Sequence, residues 1–268
     1  LSSAQKRGII QLKTSHSWDV FNWGRQMKKW ALITGASGGI GSKISERLAN
    51  LGYHLIMHYH SADERIFNLQ KKLMDTYNNE IICLKADLST KEGASSLLSG
   101  IYNPIDCIVH NSGLSYYGLF TEMLDEDIQK MIQVNFTSPI TITKHLLPGM
   151  IARKSGRIII ISSIWGHSGA SCEVVYSAVK GGLNTFVKAL AKEVAPSGIY
   201  VNGIAPGAVD TNMLSLFTEE EKSLIKEEIP MNRLGRPEEI ADIVSFLCTK
   251  QSSYVNGHII TASGGWHS

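Results

Sequence analysis

Seven short apolar runs punctuate the chain, at Trp30 to Ile33, His54 to Tyr59, Ile81 to Lys85, Cys107 to His110, Ile158 to Ile161, Tyr200 to Ile204 and His258 to Thr261. Each has the length of a buried strand. Between most of them the apolar positions recur at helical spacing, as around Thr141 to Ala152 and from Tyr176 to Glu193. Strands alternating with helices predict an α/β fold, a parallel sheet with helices on both faces. At 268 residues and 43% apolar content the chain can bury a core on each face, and nothing in it separates a second folding unit. Ligands of such sheets bind beyond the carboxyl ends of the strands, so the residues following each run carry the chemistry.

The first run leads into Thr34-Gly35-Ala36-Ser37-Gly38-Gly39-Ile40-Gly41 and then an amphipathic stretch through Arg47-Leu48-Ala49. Strand, glycine turn and helix make the setting a phosphate-binding loop requires. Glycines let backbone N–H groups approach a pyrophosphate, and the helix N-terminus adds partial positive charge. A glycine cluster alone also makes a plain turn. A second pattern lies in Tyr176-Ser177-Ala178-Val179-Lys180, where a phenol and an ammonium share one helix face about a turn apart. A phenol titrates near ~10 when unperturbed, and a neighbouring cation favours the phenolate, which makes a general acid or base. The same spacing also describes an ordinary solvated helix face.

Taken together, the two patterns resemble the short-chain dehydrogenase/reductase family, with T-G-x-x-x-G-x-G near the N-terminus and Y-x-x-x-K in the second half. The resemblance runs from about Met27 to the C-terminus. It implies a single Rossmann-like domain over residues 27–268, a doubly wound parallel sheet of seven strands ordered 3-2-1-4-5-6-7. It implies catalytic roles for Ser163, Tyr176, Lys180 and Asn135, the last in Val134-Asn135-Phe136. Cofactor contacts are implied at Gly35, Ser37, Gly39, Ile40 and Gly41 in the loop, and at Asp87 and Leu88 by the adenine. Others are implied at Asn111 and Gly113, at Pro206, Gly207 and Thr211 by the nicotinamide, and at Tyr176 and Lys180. The family has N-N-A-G where this chain has His110-Asn111-Ser112-Gly113, so His110 and Ser112 depart from it. Read singly, Asn111 caps a turn, and Asp87 and Ser163 end strands.

Cofactor choice turns on Met57-His58-Tyr59-His60-Ser61, which has no acid until Asp63. A carboxylate at the end of the second strand would bond the ribose hydroxyls of NAD and repel a 2′-phosphate. His60, Ser61 and Arg65 offer donors instead, and NADP(H) is the expected cofactor, although Gly38 stands where many NADP-dependent relatives carry Arg or Lys. His54, His58 and His60 lack a carboxylate partner, and no metal is expected.

Among branches of the family the chain resembles bacterial 3-oxoacyl-[acyl-carrier-protein] reductases most, through residues 156–163, residues 191–202 and Gly264-Gly265-Trp266. That resemblance implies a carrier-bound ketone and an acyl carrier protein as partner. Of the two basic positions those reductases present to the carrier, Lys154 fits one and Ser197 occupies the other. Trp165 and Glu173 are candidate substrate residues. A carboxylate at the pocket mouth gives nothing to an anionic phosphopantetheine thioester and favours an amine. Residues 162–166 and 169–174 also resemble a side branch in Gram-positive bacteria that reduces an aminopentanone group on a lysine of elongation factor P. A non-catalytic NADP-binding regulatory protein is the reading from another class, opposed by the intact Ser163, Tyr176, Lys180 and Asn135.

A net charge of +2 gives no basic field for nucleic acid. Cys83, Cys107, Cys172 and Cys248 lack C-x-x-C spacing, so reduced thiols in a cytoplasmic protein are expected. No run approaches the ~20 apolar residues of a membrane span. Leu1 to Gln26 lack a secretory apolar region, carry Trp18, Phe21 and Trp23 among polar residues, and precede Met27, which looks like a natural start. They are expected to be an extension outside the fold, with an aromatic interaction arm as the alternative. By resemblance, the two helical stretches named above pair subunits across a two-fold axis, and a homotetramer is expected.

Overall fold

The computed structural model describes residues 29–215 and 217–266, so the extension expected over residues 1–26 lies outside the described residues. All seven apolar runs are strands: β1 (Trp30–Ile33), β2 (His54–Tyr59), β3 (Ile81–Lys85), β4 (Ile105–His110), β5 (Gly156–Ile161), β6 (Ile199–Pro206) and β7 (Ile259–Ala262). They pair in parallel in the order β3-β2-β1-β4-β5-β6-β7. β4 and β5 begin two residues before their apolar runs, because Ile105 pairs with Trp30 across an irregularity at Asp106, and Gly156 and Arg157 pair with Ile199 and Tyr200.

Helices α1 (Gly39–Asn50), α2 (Asp63–Tyr77), α3 (Gly93–Ser99), α4 (Asp125–Ile132), α5 (Ser138–Arg153), α6 (Trp165–Ser168), α7 (Val174–Val194), α8 (Glu219–Glu228) and α9 (Pro237–Leu247) fill the connections. Side chains alternate across each strand, so one strand feeds two cores. Ala31 and Ile33 of β1 face Ile44, Leu48, Ile66, Leu73, Ile240 and Val244 from α1, α2 and α9. Trp30 and Leu32 face Ala94, Leu97, Ile142, Met150, Leu183 and Val187 from α3, α5 and α7. Leu32 is fully buried. Truncating such a side chain to Ala costs about 2–5 kcal/mol.

Arginines lock the amino ends of the strands. Arg157, at the start of β5, donates to the carbonyls of Leu247 (2.6 Å) and Thr249 (2.7 Å) and to Ser252 Oγ (3.1 Å), and its guanidinium stacks 4.7 Å from the Tyr200 ring centroid. Those carbonyls lie at and just after the end of α9, where helical donors run out, and Ser252 Oγ donates to both of them as well, at 3.0 Å. Arg153, at the end of α5, donates to the Ile105 carbonyl at 2.5 Å. The carboxyl ends, by contrast, open into one cleft. No described helix is long and apolar enough to cross a membrane.

Candidate active site

β1 runs into a turn in which Gly35 adopts φ +67°, a left-handed conformation that side chains resist. At Gly41 the reason for glycine is distance: a Cβ there would lie 2.1 Å from the Gly35 carbonyl oxygen. The first turn of α1 carries no acidic residue, and its cap, Gly38, makes no side-chain cap bond. Its N-terminal amides therefore face the cleft as an anion site. Thr34 Oγ1 accepts from the N–H groups of both Asn111 and Ser112 at 3.0 Å, and Asn111 Nδ2 donates to the carbonyls of Thr34 and Gly35 at 3.1 Å. Asn111 is thus a brace between two strand ends.

The histidines of β2 divide by task. His54 Nδ1 accepts from the Glu80 N–H at 2.7 Å and its ring packs 5.1 Å from that of Trp30. His58 Nδ1 accepts from the Gly35 N–H at 3.1 Å while Nε2 meets the Ala86 carbonyl at 3.0 Å. His60 reaches out to Asp87, 3.7 Å away. Asp87 Oδ1 accepts from the Ser89 N–H (2.9 Å) and hydroxyl (2.7 Å), bonds that hold its carboxyl below the usual range. No group of three or more metal-ligating side chains occurs among the described residues.

A π-helical turn, Gln133–Thr137, joins α4 to α5 and carries Asn135. Asn135 Nδ2 donates to the carbonyls of Leu114 (2.8 Å) and Met131 (3.0 Å), and Oδ1 accepts from the Leu114 N–H (3.3 Å). The amide clamps the loop after β4. His110, at the end of β4, is buried with Nε2 2.8 Å from Thr143 Oγ1, and burial lowers its pKa to about 3.

Ser163 follows β5, and Tyr176 and Lys180 face it from the first turns of α7. All three are buried. Ser163 hydrogen-bonds the Tyr176 phenol, and its Oγ accepts from the Trp165 N–H at 3.2 Å. The expected depression of the phenol by Lys180 is not what the protein's own groups produce. Burial raises the Tyr176 pKa well above its ordinary value, the charge of Glu173 raises it further, and only the Ser163 bond opposes them. Lys180 Nζ donates instead to the Ile161 carbonyl at 2.9 Å and lies 5.4 Å from the Tyr176 ring centroid; burial lowers its pKa to about 8. Ser162 and Asn184, which the sequence did not single out, hold this corner: Ser162 Oγ donates to Asn184 Oδ1 (2.7 Å) and Asn184 Nδ2 to the Gly166 carbonyl (3.1 Å).

One cleft of about 670 Å³ brings nearly all the expected residues together. Gly35, Ser37, Gly39 and Ile40 line it with His60, Ser61, Asp87 and Leu88 at one end, and Asn111, Gly113, Ser163, Tyr176 and Lys180 at the centre. Pro206, Gly207, Thr211, Trp165 and Glu173 complete the wall. Gly41 and Asn135 stand behind it, as a close-packing position and a clamp. Aromatic residues shape the outer half: Tyr117 packs edge-on against Phe217 at 5.3 Å, and Trp266 packs against the expected Trp165 at 5.2 Å. Glu173, half-buried, hydrogen-bonds Trp165, and burial raises its carboxyl above the ordinary range.

The cleft thus joins an anion-binding loop to a buried serine and tyrosine, the parts needed to hold a dinucleotide beside a carbonyl. The family model described as short chain dehydrogenase matches residues 29–222. An uncharacterized oxidoreductase, YmfI, of Bacillus subtilis (strain 168) is 53% identical over 241 residues, 90% of this chain and 100% of that protein. The 3-oxoacyl-[acyl-carrier-protein] reductase FabG of Aquifex aeolicus (strain VF5) is 38% identical over 240 residues, 88% of this chain and 96% of that one. The crystal structure of L-sorbose reductase from Gluconobacter frateurii, complexed with NADPH and L-sorbose, superposes with a TM-score of 0.81 at 28% identity, covering 88% of this chain and 95% of that one. The chain belongs to the short-chain dehydrogenase/reductase family.

Proposed function

We propose that this oxidoreductase is an NADP(H)-dependent ketone reductase whose substrate carries a positively charged amine, as the aminopentanone-modified lysine of elongation factor P does. The observation that carries the substrate class is Glu173, a half-buried carboxylate in the wall of the cleft, hydrogen-bonded to Trp165 and close enough to Tyr176 to raise its pKa. Aromatic faces from Trp165, Trp266 and Tyr117 surround the same space and favour a cation over an anion. A cation seated on Glu173 would also cancel the charge that holds the phenol up, making Tyr176 a better acid once the substrate has arrived.

The cofactor reading rests on the far end of the cleft, where His60, Ser61 and Arg65 line the wall and positions 60 and 61 present no carboxylate. The NADPH complex of L-sorbose reductase supports it. The amides at the start of α1 suit a pyrophosphate, and Pro206, Gly207 and Thr211, which line the cleft, would hold the nicotinamide. When bound, NADPH supplies the hydride. Tyr176 donates its proton to the carbonyl oxygen as charge develops there, and Ser163 hydrogen-bonds the same oxygen. Lys180, whose ammonium lies near the Tyr176 ring, would hold the nicotinamide ribose, and Asn135 clamps the loop at Leu114.

A 3-oxoacyl-[acyl-carrier-protein] substrate is the second reading, favoured by 38% identity to FabG and by Lys154. Against it stand Ser197 and the helix α8 beside the mouth, with five glutamates against two lysines in EEEKSLIKEE, a poor surface for an acidic carrier. Steady-state kinetics with amine-bearing ketones, neutral ketones and carrier thioesters tests the choice. Glu173→Gln is expected to raise KM for the amine class about tenfold, the loss of one charge-assisted contact, and to leave neutral ketones unchanged. Equal responses from all three classes would leave the carrier thioester as the better reading.

A further inference from the structure

We propose that His58 is a positioning residue for cofactor binding, whose imidazole holds the glycine loop in its phosphate-accepting shape. Its ring is buried between two strand ends and joined to backbone at both nitrogens. Gly35 N–H is a donor and Ala86 C=O an acceptor, so only one neutral tautomer satisfies both: Nδ1 accepts and Nε2–H donates. The backbone of the same residue holds the next loop position, its carbonyl accepting from the Ala36 N–H at 2.9 Å.

The consequence runs through Gly35. With its N–H fixed on His58 and its carbonyl fixed on Asn111 Nδ2, the left-handed turn at Gly35 has one orientation, and the chain leaves it aimed so that Gly38 starts α1 at the cleft wall. Ser112 Oγ, 3.5 Å from Nδ1, offers its hydrogen to the same lone pair. A proton on Nδ1 would set donor against donor at Gly35. The charged and titratable groups nearest the ring are His60, just beyond β2, and Asp87, beyond β3, whose effects oppose each other. Burial keeps the imidazole neutral, lowering its pKa to about 4. His58 also borders the cleft, and the role assigned to it runs through the loop.

Three variants separate the two nitrogens. His58→Asn places an amide oxygen where Nδ1 lies and keeps an acceptor for Gly35. His58→Gln reaches toward Ala86 but offers Gly35 nothing, and His58→Phe keeps bulk without either bond. NADPH dissociation constants from fluorescence titration, without substrate, are expected to stay within about threefold of wild type for Asn and to weaken at least about tenfold for Gln and Phe, the worth of one lost buried hydrogen bond. Melting temperatures measured alongside show whether affinity follows folding. Equal losses for Asn and Gln, or losses that follow melting temperature alone, overturn the proposal. Histidine ¹⁵N shifts of the wild type give a test independent of folding: protonation at Nε2 between pH 6 and 8 is expected, and the Nδ1–H tautomer overturns it.

Discussion

Gly41→Ala adds one methyl group at the most crowded point of the nucleotide loop. The new Cβ would stand 2.1 Å from the Gly35 carbonyl oxygen and 2.7 Å from Asn111 Nδ2, and the first of these is backbone, which cannot rotate away. Ordinary contact needs more than an ångström of extra separation, so α1 must slide outward or the Gly35 turn must open. Overpacking of this kind costs about 1–3 kcal/mol, and a backbone neighbour places it at the upper end. Alanine returns about 1 kcal/mol of helix propensity. The net loss of about 2 kcal/mol lowers the melting temperature by about 4–8 °C in a chain of this size. NADPH affinity should fall at least about tenfold, because the displaced carbonyl sits beneath the amides that face the pyrophosphate. Gly38→Ala is the control: its Cβ meets the same oxygen at 3.4 Å, ordinary contact, and its φ of −77° suits any residue. Fluorescence titration and thermal melts of both variants decide the matter. If Gly41→Ala binds NADPH within about twofold of wild type and melts where wild type does, the close-packing account is wrong.

Tyr176→Phe is expected to leave NADPH binding nearly intact and to lower turnover about 10²-fold or more, the usual worth of general acid catalysis; turnover above about a tenth of wild type would refute the role assigned to the phenol. Ser61→Asp should weaken NADPH relative to NADH through repulsion of the 2′-phosphate, and a wild type that already prefers NADH in paired kinetics would refute the reading of β2. Acid should destabilise the fold through His58 and His110, whose pKa values burial lowers from 6.5 to about 4 and about 3. The unfolded chain binds those protons first, so their contribution is complete above 6.5 and is lost as pH falls toward the folded values. Between pH 7 and 5 the loss is about 2 kcal/mol per histidine, to be read as a lower urea midpoint at pH 5; a midpoint that holds or rises would contradict it.

The strands and the placing of Tyr176 and Lys180 on one helix face were legible because periodicity and fixed spacings are local, whereas the strand order came from the family resemblance. β1, β2 and β3 occupy the residues their apolar runs predicted, and Tyr176 and Lys180 share a helix face as their spacing required. Less visible were contacts whose partners lie far along the chain. Nothing near Thr34 in sequence announces that its hydroxyl receives two amides from residues 111 and 112. His58 read as one of three alternate histidines until the glycine loop folded back on it. The direction of the Tyr176 shift was misjudged from spacing alone, since a turn of helix brings Lys180 near the ring while its ammonium donates to the Ile161 carbonyl. Glu173 was noticed for its charge, but its companions Trp266, Tyr117 and Phe217 come from three other segments and only the fold assembles them.

The arginine locks at the amino ends of the strands place the molecule's anchorage on the side away from chemistry. Arg157 fastens the end of α9 to β5, and Arg153 fastens α5 to β4, while the segments that line the cleft hang from the opposite rim. A protein built this way can exchange its rim without loosening its base. Substitutions near Tyr117 or Phe217 are expected to alter what enters the cleft while leaving register, layer packing and the glycine loop as they are. Such separation makes the scaffold a natural platform for grafting new substrate loops, in keeping with similar proteins that are an L-sorbose reductase in one case and a 3-oxoacyl-[acyl-carrier-protein] reductase in another.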